Sequence, residues 1–322
     1  MKNNLTIEKQ VFGLGSSGVV RLKVGELPSG TKINIQAHVF RGKKEGPTSL
    51  VLAGVHGDEI NGVEIARRLL KSKKLKKVNA GTVIVIPLLN IYGFINYNRY
   101  VPDGKDVNRS FPGTQSGSLA SRIARALSKN IMPHVDYIFD FHTGGDSRYN
   151  FPQVRVSRHD SEALELAKIF NSPLIIKSGL IPKSLRRTAK DMKIPILVYE
   201  GGESVRLNSK AIEMGFIGLL NCLHHLGHIS KHNIFTPDRK TYLIKKTSWI
   251  RASYAGIFLW SQGSGTKVMK GEKLGSINDP NGLKSISVIT KKDGILIGHN
   301  NASVVNQGDA LFHLGYEFEE IS

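Results

Sequence analysis

The feature that most constrains this chain is the stretch Gly54-Val-His56-Gly-Asp-Glu59, which ends an apolar run at residues 49–55. The run predicts a buried β-strand, and the helical spacing of the apolar residues after it predicts a helix that begins near Asp58. In open α/β sheets, functional sites lie beyond the carboxyl ends of the strands. The sequence therefore predicts an α/β sheet that presents His56 and Glu59 at one edge.

The chain up to residue 237 continues to alternate between apolar runs and helical patterns. An N-terminal hairpin at 19–40 has the every-second-residue pattern of half-buried strands. Further strands are expected at 81–87, 137–141, 173–177 and 194–200, and helices at 118–130, 161–170 and 212–226. Strand–helix–strand order favours parallel pairing. We expect a mixed sheet flanked by helices over residues 1–237.

Two segments depart from this alternation. Residues 90–117 are rich in Asn, Gly, Pro and Asp, which predicts a long loop, and their aromatic side chains indicate that it is packed and functional. From residue 238 onward, short apolar runs recur between glycine turns, which is typical of a small all-β domain. We therefore expect two domains, 1–237 and 238–322.

Charge and composition narrow the class of protein. The chain has 45 Lys and Arg against 26 Asp and Glu, a formal net charge of +19, with one dense basic run at 67–77. That run has no aromatic residues for base stacking, so we interpret it as a solvated helix face and expect no nucleic-acid partner. No apolar run approaches the ~20 residues of a membrane span, so we expect no membrane partner. A single cysteine, Cys222, and no signal-peptide-like stretch at the N-terminus predict a cytoplasmic protein.

Three separate strands end in residues that suit a metal site. His56 and Glu59 follow the first strand, His142 the second and Glu200 the third. Strand ends of one sheet lie side by side, so we expect these residues to converge. A catalytic zinc takes three imidazole or carboxylate ligands plus water. The pattern therefore predicts one zinc ion per chain, and the alternative is a helix-capping Glu59 beside ordinary histidines.

The other candidates surround this centre. Asp140 precedes His142 by two residues on the same strand face, and we expect it to hold the imidazole. Glu200 is the candidate general base, because a carboxylate can take a proton from a water that zinc acidifies. Arginine binds carboxylates through two hydrogen bonds and also stabilises oxyanions. The candidate anion clamp consists of Arg99, Asn108, Arg109 and Arg186.

Four motifs in this order resemble one known family. They are Gly54-Val-His-Gly-Asp-Glu59, Asp103-Gly-Lys-Asp-Val-Asn-Arg109-Ser-Phe-Pro-Gly113, Asp140-Phe-His142-Thr-Gly and Tyr199-Glu200-Gly-Gly. Over most of residues 45–315 the chain resembles the succinylglutamate desuccinylase/aspartoacylase family, which is related to the zinc carboxypeptidases. The resemblance implies a carboxypeptidase-like mixed sheet flanked by helices and a zinc-dependent hydrolase.

The resemblance also implies a role for each candidate residue. It implies zinc bound by His56, Glu59 and His142, Glu200 as general base, Arg99 polarising the scissile carbonyl, Asn108 with Arg109 binding the substrate carboxylate, and Arg186 as a further substrate ligand. Arg187 competes with Arg186 for the last role. The segment between Arg99 and Arg109 is longer than in aspartoacylase, so strict aspartoacylase specificity is not implied.

Residues 238–322 resemble the β-sandwich of lipoyl and biotinyl carriers. Carriers hold their modified lysine in a Met-Lys hairpin, and the equivalent stretch here, 278–284, lacks that signature. We therefore expect Lys284 to be an unmodified strand residue. The family resemblance implies that this β domain borders the catalytic mouth and restricts large substrates.

Three functions stay open at this point. We favour a zinc amidohydrolase that removes the acyl group from a small anionic N-acyl amino acid. A zinc carboxypeptidase that acts on a small peptide would use the same residues. A non-catalytic binding or carrier protein is the third function, and the intact set of candidate ligands and base argues against it. The sequence leaves open the acyl group, the amino acid and whether the chain forms a homo-oligomer.

Overall fold

The computed structural model describes residues 4–26, 29–230 and 240–321 of the chain. The strands in these ranges are β1 (Leu5–Ile7), β2 (Gln10–Phe12), β3 (Ser17–Glu26), β4 (Lys32–Arg41), β5 (Lys44–Ala53), β6 (Ala80–Ile86), β7 (Tyr137–Gly144), β8 (Arg148–Ser157), β9 (Leu174–Ser178), β10 (Ile196–Glu203), β11 (Tyr242–Arg251), β12 (Gly256–Trp260), β13 (Lys267–Val268), β14 (Lys273–Asn278), β15 (Ser285–Ile289), β16 (Gly294–Asn300), β17 (Val304–Val305) and β18 (Ala310–Glu320). The helices are α1 (Ile60–Lys71), α2 (Ile91–Ile95), α3 (Leu119–Asn130), α4 (Ser161–Phe170), α5 (Leu185–Asp191) and α6 (Ser209–His225). Among these helices, none is both long enough and apolar enough to cross a membrane.

Twelve of the described strands form one mixed sheet in the order β13-β16-β18-β11-β9-β8-β10-β7-β5-β6-β4-β3. At its centre β6, β5, β7 and β10 run parallel, as the strand–helix–strand order predicted. The N-terminal hairpin β3–β4 joins this centre through an antiparallel pairing of β4 with β6. The predicted mixed α/β sheet is therefore confirmed.

Helices cover both faces of this sheet. In β5, Leu50 and Leu52 join one apolar core, whereas Val51 and Ala53 join the other, because successive side chains of a strand point to opposite faces. Residues of α3 and α5 pack into the first core, and residues of α1, α4 and α6 pack into the second. Burial on both faces explains the unbroken apolar run that predicted this strand.

The helix that contains the start of the basic run at 67–77 ends earlier than expected. α1 ends at Lys71, and Ser72 then adopts an extended conformation. Leu75 is buried and lies in a separate 3₁₀ turn that ends at Lys77. The prediction that one helix carries the whole run is therefore wrong, because burial of Leu75 folds the chain back onto the body of the protein.

The loop expected at 90–117 is packed, as its aromatic residues indicated. Val107 and Phe111 are almost fully buried. Asp106 accepts a hydrogen bond from the amide of Asn108 at 2.7 Å and so caps a 3₁₀ turn. The segment also contains the short helix α2, which its composition did not predict. Val107 and Phe111 also belong to the apolar core on one face of the sheet, so the loop packs against the body of the fold.

Sequence patterns did not predict strand β8, although it lies between β10 and β9 within the sheet. Val154 and Val156 are buried and alternate with polar residues, which is a strand signal. Pro152 obscures that signal, since a proline argues against an interior strand. It lies where the pairing of β8 with β10 is irregular, and a bulge of this kind accommodates proline.

The C-terminal strands extend the same sheet. β11 pairs in parallel with β9, and β18 and β16 follow in antiparallel order. β16 then pairs with the first residues of β8, so five strands close a ring. Its interior holds an apolar cluster of Leu174, Ile176, Ile244, Ile295 and Ile297. A separate four-stranded sheet, β15-β14-β12-β17, completes this β-rich region, and the expected boundary at 237/238 lies outside the described residues.

Lys284 lies in the connection between β14 and β15, just before β15 begins. The expectation that it is a strand residue is therefore wrong. Its ammonium group lies 4.2 Å from the centre of the Tyr254 ring, a distance at which a cation and an aromatic face attract. This contact holds the lysine side chain against the C-terminal region.

Buried histidine in this region predicts a loss of stability in mild acid. His313 is 5% exposed, and burial together with the nearby charge of Arg155 lowers its pKa from 6.5 to about 3. In the unfolded chain this histidine binds a proton at its ordinary pKa. The free energy of unfolding therefore decreases as the pH falls below about 6.5. Between about pH 7.5 and about pH 5.5 one such group costs about 1 kcal/mol.

The measurement is a urea titration of wild type and His313→Gln at both pH values. We expect the unfolding free energy to fall less in the variant, by about 1 kcal/mol. His225→Gln, at an exposed position on α6, is the matched control and should follow wild type. Equal falls in His313→Gln and wild type would contradict the assignment of a neutral buried His313.

Candidate active site

The site forms where parallel strands of the sheet end. β7 and β10 pair so that His142 and Glu200 are direct neighbours on the two strands. Gly54 follows β5 and has a positive φ of 62°, a conformation that favours glycine, and the turn there leads to His56. β7 continues to Gly144, so His142 lies inside its strand. The sequence pattern had placed His142 directly after the strand.

The three candidate metal ligands converge at this edge. The Nδ1 atoms of His56 and His142 each lie 2.7 Å from a different oxygen of Glu59. The two Nδ1 atoms lie 3.3 Å from each other. The ligand atoms of all three residues lie within 4.8 Å of one another, and all three side chains are buried. One small cation can therefore contact all three residues at once.

Each imidazole presents its outer nitrogen to a carboxylate. His142 Nε2 lies 2.9 Å from Asp140 Oδ2, and His56 Nε2 lies 3.3 Å from Asp106 Oδ1. With the Nε2 atoms directed at these carboxylates, a bound metal ion would replace the protons on the two Nδ1 atoms and use their lone pairs. Lone pairs at such short separations repel unless a cation or proton lies between them. This set of nitrogen and oxygen donors therefore fits a zinc ion.

The charges of the cluster point the same way. Burial raises the pKa of Glu59, but the charges of His56 and His142 outweigh burial and hold that pKa well below its ordinary value. Burial lowers the pKa of His142, but Asp140 and Glu59 outweigh it and raise that pKa well above its ordinary value. The Glu59 carboxylate is therefore ionised, and without a metal the protons on the two imidazoles supply the positive charge that a bound cation would replace.

A cavity of about 250 Å³ opens beside the cluster. All the candidate residues that the sequence predicted line this cavity. They are the metal-ligand candidates His56, Glu59 and His142, the base candidate Glu200, and the anion-binding candidates Arg99, Asn108, Arg109 and Arg186. Arg148 and Arg155 also line it, and Trp249 contributes from the C-terminal region. A lining with five arginines attracts anionic ligands.

Two of these arginines come from the packed loop. Arg99 donates to Asp106 through Nε and Nη2 at 3.2 and 3.0 Å, and its Nη1 lies 3.4 Å from Glu59 Oε1. Arg109 is exposed and donates to the backbone carbonyl of Asn108 at 2.8 Å. Arg99 is thus held beside the candidate metal ligands, whereas the guanidinium of Arg109 makes no ion pair with the described residues and can meet a ligand's carboxylate.

Arg186 and Arg187 lie in different surroundings. Arg186 lines the cavity and donates to the hydroxyl of Ser178 at 2.8 Å. Arg187 is exposed and donates to Asp191 at 3.1 Å. Burial and the nearby Arg155 lower the pKa of Arg186 to about 10, so it stays charged at neutral pH. Of the two, Arg186 is the one that lines the cavity.

Asn108 ties the packed loop to α5. Its Oδ1 accepts a hydrogen bond from the amide of Leu185 at 2.9 Å. Leu185 is the first residue of α5, which also carries Arg186. The contact therefore ties the loop to the helix that carries Arg186, and Asn108 also lines the cavity.

The surroundings of Glu200 include residues that the sequence analysis missed. Asn150 Nδ2 donates to Glu200 Oε2 at 2.7 Å, and Arg155 Nε lies 3.6 Å from Glu200 Oε1. Both residues lie on β8. The signal that could have revealed them is the alternation Val154-Arg155-Val156, which marks the strand.

Comparisons with known proteins point to one family. A sequence model of the succinylglutamate desuccinylase/aspartoacylase catalytic domain matches residues 45–226. The N-alpha-acetyl-L-2,4-diaminobutyric acid deacetylase of Halomonas elongata is 28% identical over 281 residues, which cover 83% of this chain and 81% of that protein. The region that the family model matches includes all the ligand, base and clamp candidates.

Solved structures share the fold over nearly the whole chain. The crystal structure of a succinylglutamate desuccinylase/aspartoacylase from Rhodobacter sphaeroides is 25% identical, with a TM-score of 0.82 over 95% of this chain and 96% of that one. The product-bound ectoine utilization protein EutE (DoeB) from Ruegeria pomeroyi is 22% identical, with a TM-score of 0.82 over 93% of this chain and 94% of that one. The family match spans more than half of the chain and contains the cavity's metal-ligand candidates, and the protein therefore belongs to the succinylglutamate desuccinylase/aspartoacylase family.

Proposed function

We propose that this protein is a zinc-dependent hydrolase that cleaves the amide bond of an N-acyl amino acid, with Glu200 as general base. The observation that carries the proposal is the convergence of His56, Glu59 and His142 beside Glu200 in one arginine-lined cavity. Membership of a deacylase family and the deacetylase activity named for the Halomonas elongata relative support it.

The metal-ligand candidates, Glu200 and Arg99 have separate roles in the proposed reaction. Zinc bound by His56, Glu59 and His142 would lower the pKa of water toward ~7 and polarise the scissile carbonyl. Glu200 takes the proton from the attacking water and passes it to the leaving nitrogen. Arg99 stabilises the negative charge that develops on the carbonyl oxygen.

The other polar residues bind and orient the substrate. Arg109 and Asn108 hold the carboxylate of the amino acid, since a guanidinium matches a carboxylate through two parallel hydrogen bonds. Arg186 binds a further polar group of the substrate. Holding the substrate at more than one point places its amide bond beside the metal ligands, which is a large part of catalysis by orientation.

The C-terminal region favours a small substrate. We propose that it forms a lipoyl/biotinyl-like β-sandwich that borders the mouth, where Trp249 lines the cavity. A cavity of about 250 Å³ is at the small end for ligand sites. This restriction favours a deacylase over a peptidase, and the deacetylase activity named for the Halomonas elongata relative makes acetyl the first acyl group to test.

The test is a panel assay of zinc-loaded protein on N-acetyl amino acids and on short peptides with matched C-terminal residues. We expect release of the free amino acid from the N-acetyl compounds and little cleavage of the peptides. Faster cleavage of the peptides would favour the carboxypeptidase alternative. Binding of panel members without cleavage would favour a non-catalytic binding protein.

The carboxylate clamp predicts a second result. Wild type should hydrolyse an N-acetyl amino acid much faster than its methyl amide, because the amide lacks the charge that Arg109 binds. Arg109→Lys should raise KM for the acid about tenfold or more, since lysine does not reproduce the two-point contact. Steady-state kinetics on the matched pair of substrates give both numbers.

The control for this variant is Arg187→Lys. Arg187 is exposed and pairs with Asp191, so its KM should stay at the wild-type value. If wild type hydrolyses acid and methyl amide equally well, the clamp is wrong, and so is the choice of N-acyl amino acids as substrates.

A further inference from the structure

Strand β8 orients the carboxylate of Glu200 from one side. Asn150 Nδ2 donates to Glu200 Oε2 at 2.7 Å, whereas Arg155 Nε approaches Oε1 only to 3.6 Å. A hydrogen bond to a charged acceptor is shorter and stronger than one between neutral groups. A glutamate side chain otherwise samples several staggered rotamers, so the contact with Asn150 selects one of them.

The position of Asn150 follows from an irregularity in the sheet. Glu200 pairs with Gln153, but Gly202 pairs with Asn150, so β8 has one residue more than β10 in this interval. A bulge redirects side chains. Without the extra residue, Asn150 would face the other side of the sheet, because strand side chains alternate. The bulge at Phe151-Pro152 therefore brings the Asn150 amide to the face that carries Glu200.

The C-terminal region holds Asn150 from the other side. Gly298 of β16 pairs with Asn150 across the second edge of β8. A Cβ atom on Gly298 would lie 2.9 Å from Asn150 Oδ1 and 2.9 Å from the carbonyl oxygen of Tyr149. Glycine at this position therefore leaves the space that the Asn150 amide occupies. Asn150 is 6% exposed, so water does not compete strongly for its amide.

We propose that Asn150 is the residue that positions the general base, and that β16 of the C-terminal region holds it there through Gly298. The inference rests on the proposed function, which gives Glu200 its catalytic role. Asn150 acts through Glu200, so its loss leaves the metal ligands and the arginine clamp in place and releases only the carboxylate. The C-terminal region then contributes to turnover as well as to the cavity wall.

The kinetic test compares zinc-loaded, full-length wild type, Asn150→Ala and the isosteric Asn150→Asp, which lacks the amide donor. The substrate is the N-acetyl amino acid that wild type hydrolyses fastest in the panel. We expect kcat to fall about 10–100-fold in both variants, the scale of a misplaced catalytic group, with KM within about twofold of wild type. Gly298→Ala should lower kcat in the same direction while its zinc content stays unchanged.

The matched control is Asn300→Ala. Asn300 is also 6% exposed, but its amide donates to the carbonyl of Ala310 at 3.1 Å and makes no contact with Glu200. Its loss should lower the melting temperature and leave kcat unchanged. A general structural role for buried asparagines would instead lower kcat in both Asn150→Ala and Asn300→Ala, and this outcome would overturn the proposal.

Crystal structures of wild type and Asn150→Ala test, independently of activity, whether Asn150 positions the Glu200 carboxylate. We expect a displaced Glu200 carboxylate beside an unchanged set of metal ligands. A carboxylate in its wild-type position, or a rise in KM with unchanged kcat, would overturn the proposal. If wild type hydrolyses no N-acyl amino acid, the proposed function fails, and the position of the Glu200 carboxylate still shows whether Asn150 holds it.

Discussion

Replacing Glu200 with glutamine should lower kcat by about 10²–10⁴-fold, the usual effect of removing a general base, while KM and zinc content stay near wild type. The amide has nearly the size of the carboxylate, and its oxygen can still accept the hydrogen bond from Asn150 that Glu200 accepts at 2.7 Å. The substitution therefore removes the basic group and leaves its surroundings in place. Steady-state kinetics and metal analysis of the same preparation measure both effects.

Glu203→Gln is the control for this prediction. Glu203 lies three positions further along β10, accepts a hydrogen bond from Asn301 at 2.6 Å and does not line the cavity. Its kcat should stay within about twofold of wild type, as is usual for substitutions away from a site. Near-normal turnover of Glu200→Gln would exclude Glu200 as the base, and loss of zinc from that variant would make Glu200 a metal ligand instead.

Replacing either His56 or His142 with alanine should remove the bound zinc and, with it, measurable turnover. The two Nδ1 atoms lie 3.3 Å apart and 2.7 Å from the oxygens of Glu59, so each is placed to supply one of three ligands to the same ion. A catalytic zinc has only three protein ligands, and the loss of one leaves two. Elemental analysis after purification without chelators should give one zinc per chain for wild type and far less for either variant.

The control here is His225→Ala, an exposed histidine at the end of α6. It should retain one zinc per chain and full turnover. Loss of zinc from His56→Ala together with full zinc content in His142→Ala would contradict the three-ligand site. Both histidines are buried, so circular dichroism of each variant is needed to confirm that it is folded.

The centre of the fold and the convergence of the candidate metal ligands could be predicted from the sequence because local patterns encode them. β5 is buried on both faces, so its residues form an unbroken apolar run, and the change to helical spacing marks the start of α1. His56 and Glu59 lie at that change. His142 and Glu200 follow similar runs, and their direct pairing in neighbouring strands is the convergence that the strand ends predicted.

The neighbours of Glu200 could not be predicted because no local pattern encodes them. Pro152 interrupts the pattern of β8, and the proline fits only because β8 is irregular where it pairs with β10. Asn150 reaches Glu200 through that irregularity and through a pairing with Gly298. A contact between residues so distant in sequence depends on the tertiary fold and not on local spacing. The same limit applies to Asp106, whose carboxylate lies 3.3 Å from His56.

The most direct test of zinc-dependent hydrolysis of N-acyl amino acids is turnover of the N-acetyl panel by protein stripped of metal, before and after one equivalent of zinc is added. Release of the free amino acid is followed together with the zinc bound per chain. We predict no release from the stripped protein and recovery of the untreated rate at one zinc per chain. Full turnover by metal-free protein, or a zinc-loaded protein that leaves every N-acetyl amino acid intact, would contradict this function.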